Sequence, residues 1–128
     1  KAYGRNLLRK NTLLFSTMIF VIGLHWGDEG TVYSPFLKNA LGLTTLRLSL
    51  YVSLSLLALA FSALAIGRLP FDLRLNQRLF ILSMAMSGLG LALMVIPVLP
   101  VSFGFRVIHE VGDGFLGALV VLFISRLF

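Results

Sequence analysis

The sequence predicts an all-α polytopic membrane bundle of four transmembrane helices, on three observations. Hydrophobic residues make up 58% of the chain and charged residues 12%, with a mean hydropathy of +0.95. A soluble chain of 128 residues so composed would keep more apolar surface than one small core hides. Four stretches, about 13–37, 46–66, 79–96 and 101–125, approach the ~20 mostly apolar residues that a spanning helix needs. The formal charge of +6 gathers at the ends of these stretches rather than along one face. That points to membrane topology and away from nucleic acid.

The elements follow in order. Residues 1–12 form a basic segment carrying Lys1, Arg5, Arg9 and Lys10, and residues 13–128 form the transmembrane domain. The chain opens on Lys1 and stops at Phe128 directly after an apolar run, which reads as a piece of a longer protein. The first apolar run continues through Tyr33 to Leu37 with no small-residue cleavage site, unlike a signal peptide. A short loop around Lys38–Gly42 leads to the second span. There the Leu-Ser alternation of Leu48 to Leu57 suggests a strand until Leu56–Phe61 breaks the period. A lone strand in lipid cannot satisfy its backbone, so this segment is helix. It is rich in Ser and Ala, which allow close helix contact.

A polar loop, Gly67 to Arg78, joins the second span to a third that is nearly uniformly apolar. A turn at Pro97–Pro100 introduces the fourth. Arg68, Arg74, Arg78 and Arg126 join the N-terminal basic residues on one side, against Lys38 and Arg47 on the other. Both termini are therefore expected in the cytoplasm, with the chain integral to an inner or plasma membrane. Cysteine is absent, which excludes disulfides and thiolate chemistry.

The first and fourth spans are interrupted by charge. His25, Asp28 and Glu29 share one stripe of the first, and Arg106, His109, Glu110 and Asp113 recur at i, i+3, i+4 and i+7 in the fourth. Asp28 and His25 lie roughly 12 and 16 Å below the outer end of the first span. Arg106, His109 and Asp113 lie roughly 8, 12 and 18 Å below Val101 in the fourth. The two stripes occupy one slab, so Arg106 is expected to pair with Asp28 or Glu29, with the histidines completing a titratable network. Ions buried in lipid are costly, and seven ionisable groups exceed what is needed to glue two helices together.

His109-Glu110-Val111-Gly112-Asp113 approaches the zinc-protease pattern H-E-x-x-H but lacks the second histidine, and Arg106 one turn away would repel a cation. No metal, no cofactor and no enzymatic activity are expected.

Gly67-Arg68-Leu69-Pro70-Phe71-Asp72-Leu73-Arg74 with Arg78 resembles the cytoplasmic loop signature of the major facilitator superfamily. Asp72 stands one position late and the second glycine is missing. Arg106 with Gly112 resembles that family's fourth helix, and Tyr33–Leu37 before Leu41–Thr44 its first helix and outer loop. The resemblance implies the first four of twelve helices. Helices one and four would line a cavity, helix two would rock, helix three would face lipid, and Gly67, Asp72, Arg74 and Arg78 would form a gating loop. In such a loop Gly67 would permit a tight turn and Asp72 would meet the N-terminus of a neighbouring helix.

The expected function is part of a secondary active transporter. It would move a small solute by alternating access, coupled to protons through Asp28, Glu29, Glu110 or Asp113, with membrane lipid and the remaining transporter helices as partners. Two alternatives stand beside it: a small four-helix multidrug exporter acting as a dimer, and a non-transporting membrane scaffold domain.

Overall fold

A computed structural model describes residues 9–70 and 72–127, except for the side chains of Asn11, Asp28 and Leu127. The expectations for Lys1, Arg5 and the Asp28 carboxylate lie outside the described residues. Four helices follow in order: α1 (Lys10–Asn39), α2 (Thr45–Gly67), α3 (Leu73–Leu93) and α4 (Leu99–Leu127). Among the described residues there is no strand. The chain divides into two compact units, one ending at Leu37 and the other beginning at Lys38.

The first unit is α1, which continues through Pro35. Tyr33 and Phe36 stack along it with ring centroids 5.8 Å apart.

The second unit is built around α4, against which both α2 and α3 pack. Gly42 adopts φ 63 and turns the chain between α1 and α2; it is the positive-φ glycine of the described residues. Gly67 closes α2 in helical geometry and the chain turns directly after it at Arg68, whose N–H reaches Ala65 and Ile66 carbonyls. Thr44 caps α2, accepting from the Arg47 N–H at 3.4 Å. Asp72 caps α3 itself, accepting from the Leu75 N–H at 2.8 Å. That cap starts α3 six residues before the apolar run at 79, because its first turns are polar. α4 starts at Leu99 with Pro100 in its first turn, where a missing N–H breaks no helical bond.

Two helices, Thr45–Gly67 and Leu99–Arg126, are long and apolar enough to cross a membrane. The other two fall short for visible reasons. α1 carries His25-Trp26-Gly27-Asp28-Glu29 at its middle, and α3 places Arg74, Asn76, Gln77 and Arg78 in its first turns.

α2 turns many of its large apolar side chains outward and buries Tyr51, Ser55, Ser62 and Ile66. Leu46, Leu50, Leu54, Leu57, Phe61 and Leu64 are exposed, whereas Ser55 and Ser62 are buried. Three or four residues separate successive members of the exposed stripe, so it forms one continuous apolar face.

Candidate functional site

Why polar side chains collect inside this unit follows from how closely its helices approach. A Cβ on Gly90 would lie 2.6 Å from the His109 nitrogen, and one on Gly112 would lie 2.5 Å from the Ser87 nitrogen. A Cβ on Gly114 would strike Ser62 and the Leu59 carbonyl of α2. Gly112 therefore admits α3 and Gly114 admits α2, on opposite sides of α4. Small residues at a helix seam bring backbones and short hydroxyls within reach of each other.

The contacts run in register. Tyr51, Ser55 and Ser62 of α2 meet Ser102, Arg106 and Gly114 of α4 in rising order, so these helices are parallel. Gly90 and Ser87 of α3 meet His109 and Gly112 in falling order, so α3 is antiparallel to α4.

Four ionisable side chains of α4 are buried: Arg106, His109, Glu110 and Asp113. They divide into two pairs, each one helical turn long. Arg106 forms an ion pair with Glu110. Its Nε also donates to Ser55 Oγ at 3.4 Å, and a terminal nitrogen lies 3.8 Å from Met94 Sδ. The carboxylate that pairs with Arg106 inside this unit is on its own helix.

His109 and Asp113 form the second pair, with Nε2 and Oδ2 3.6 Å apart. On the far side of the ring Nδ1 lies 2.9 Å from the Ser87 carbonyl oxygen and 3.3 Å from Ser87 Oγ. Ser87 Oγ donates its one hydrogen to Asp113 Oδ1 at 2.6 Å. One residue of α3 therefore touches both members of the pair.

A third polar chain closes the Pro97 end of the unit. Ser102 Oγ donates to the Met94 carbonyl at 2.6 Å, so the Tyr51 hydroxyl, 2.9 Å away, donates to Ser102. Tyr51 also meets Phe103 edge to face, with centroids 5.1 Å apart.

His25 and Glu29 lie one turn apart on α1, in the first unit. Arg74 and Arg78 are exposed on the first turns of α3, and Gly67 is exposed at the end of α2. On α3, Ser83 and Ser87 are buried and Ser87 enters the charged cluster, while Ile81, Leu82 and Leu89 are exposed. Ser87, Ser55, Tyr51 and Ser102 are site residues that the charge pattern alone passed over. The signal for them was present: Ser83, Ser87 and Gly90 recur at i, i+4 and i+7.

In chemical terms, α4 buries an arginine paired with a carboxylate and, beside it, a histidine facing a second carboxylate. The chain matches no protein-family model, no curated protein and no solved structure.

Proposed function

We propose that this chain is part of a secondary active transporter that moves a small solute by alternating access, coupled to protons. In this reading all four helices cross the membrane with both termini cytoplasmic. The chain supplies the first helices of a larger bundle of the major facilitator type. Its partners are lipid, the solute, protons and the remaining helices.

One observation carries the proposal: four ionisable groups are buried in α4, a helix long and apolar enough to span a bilayer. Desolvating a charge in lipid costs several kcal/mol unless it is paired. A purely structural seam would do as well with the serines and glycines already present. The exposed leucine face of α2 suits acyl chains, and the buried serine face suits a neighbouring helix. The small exporter is supported less well, since one acidic residue serves that design, whereas α4 alone holds two carboxylates, a histidine and an arginine.

The test is solute uptake by membrane vesicles containing the full-length protein under an imposed pH gradient. Uptake should follow the gradient and collapse at least tenfold in Asp113→Asn and Asp28→Asn. Properly inserted variants with unchanged pH dependence would overturn the proposal.

A further inference from the structure

The two ion pairs of α4 are not equivalent, and the difference lies in what holds each one. Arg106 and Glu110 carry opposite fixed charges and are tied to Ser55 of α2 and to Met94 just beyond α3. An arginine does not deprotonate in a protein. A proton taken up there can only neutralise Glu110.

His109 is arranged differently. The Ser87 carbonyl can only accept, and Ser87 Oγ has already given its hydrogen to Asp113. Both contacts to Nδ1 therefore require a hydrogen on Nδ1, whatever the charge of the ring. The variable position is Nε2, which faces Asp113 Oδ2 at 3.6 Å, an ion-pair separation rather than a hydrogen bond.

We propose that His109 and Asp113 form a single-proton binding site on the α3-facing side of α4. When loaded it is an imidazolium beside a carboxylate; when unloaded it is a neutral Nδ1–H imidazole beside the same carboxylate. Loading adds one proton to the Nε2 lone pair and takes the pair from net −1 to net zero. Ser87 is the positioning residue, because its carbonyl fixes the tautomer and its hydroxyl orients Asp113. A change of charge at the pair is thereby felt directly by α3. Gly90 and Gly112 make the arrangement possible by letting the α3 backbone come this near.

The groups around the pair within this unit are defined. On α4 the buried charged neighbours are Arg106 and Glu110, and α3 contributes the carbonyl and hydroxyl of Ser87. Arg47, Arg68, Arg74 and Arg78 are exposed. His25 and Glu29 belong to the other unit.

The inference deepens the proton-coupled reading and rests on it for any role in transport, but proton binding itself is measurable without solute. Full-length protein labelled with nitrogen-15 in histidine is placed in lipid nanodiscs, and the ring nitrogens are followed by NMR across pH. The His109 signal is identified by its loss in His109→Gln. The neutral ring should be Nδ1–H and should gain one proton at Nε2 as pH falls. At the pH where the unsubstituted protein is half loaded, Asp113→Asn should lower the imidazolium-to-neutral ratio of His109 by about tenfold or more, the effect of losing a close opposite charge. Ser87→Ala, which keeps the carbonyl, should retain the Nδ1–H form.

A neutral Nε2–H ring at His109 in the unsubstituted protein would overturn the site, as would an unchanged ratio in Asp113→Asn. Proton-driven uptake by a protein whose His109 is Nε2–H would remove the site and leave the transport reading. The expected titration in a protein whose uptake ignores pH would do the reverse.

Discussion

Gly90 and His109 meet backbone to backbone. A methyl group on Gly90 would fall 2.6 Å from the His109 nitrogen and 2.7 Å from its Cα, closer than carbon atoms approach in folded proteins. The obstacle is main chain, so no rotamer change relieves it. Gly90→Ala should therefore push α3 away from α4 and cost about 1–3 kcal/mol, the usual range for overpacking. Gly117→Ala is the matched control, because a Cβ there meets nothing within 4 Å. It should be neutral or slightly stabilising through helix propensity. Chemical unfolding of the protein in micelles, followed by helical circular dichroism, would show the contrast.

The same contact shows where sequence reasoning reached and where it stopped. The helices were legible, since apolar runs broken by Gly, Pro and charge leave few alternatives, and α2 and α4 begin and end within two residues of the expected bounds. α3 was mislocated at its start because hydropathy does not see a polar first turn, although Asp72 was a readable cap. The α4 stripe was legible from spacing alone. Its partners within the unit were not, because a serine in an apolar run looks the same whether it faces lipid or a histidine. Only the packing, set by Gly90 and Gly112, distinguishes Ser87 from exposed Ser53.

Asp72 was read as part of a gating loop, and its geometry gives it a definite structural task. Its carboxylate accepts the Leu75 N–H at 2.8 Å and satisfies one of the otherwise unbonded donors at the start of α3. Asp72→Ala should cost about 1 kcal/mol, and Asp72→Ser or Asp72→Asn should recover most of it, since either can cap. A gating role that depends on negative charge predicts the opposite pattern, with Asn as damaging as Ala in uptake assays. Measuring stability and uptake on the same three variants separates cap from gate.

The Tyr51 hydroxyl, Ser102 and the Met94 carbonyl form a relay with a fixed direction, from α2 through α4 to the end of α3. Tyr51→Phe removes the first donor but leaves Ser102 bonded to Met94, so it should cost about 1 kcal/mol. Ser102→Ala removes the bond that each of the phenol and the carbonyl makes to Ser102 in a buried site and should cost more, about 1–3 kcal/mol. The double variant should lie well short of the sum, because the two residues share a bond. Additive losses in a double-mutant cycle would show that the hydroxyls do not interact in solution.

Arg106 and Glu110 should show the strongest coupling in the molecule. Both are buried, at 5% and 2% exposure, and each is the other's ion-pair partner one turn away on α4. Removing either charge alone leaves the remaining one in a poorly solvating interior. Arg106→Met and Glu110→Gln should each cost about 3–5 kcal/mol. Replacing both, as Arg106→Met with Glu110→Leu, removes the stranded charge along with the pair and should restore much of the lost stability. The double variant also sets this pair apart from the proton site. With Arg106 and Glu110 gone, Ser87 still presents its carbonyl to His109 and its hydroxyl to Asp113. The Nδ1–H tautomer should therefore persist in a protein whose Arg106 pair no longer exists, as read from the nitrogen spectrum of the variant beside its unfolding midpoint.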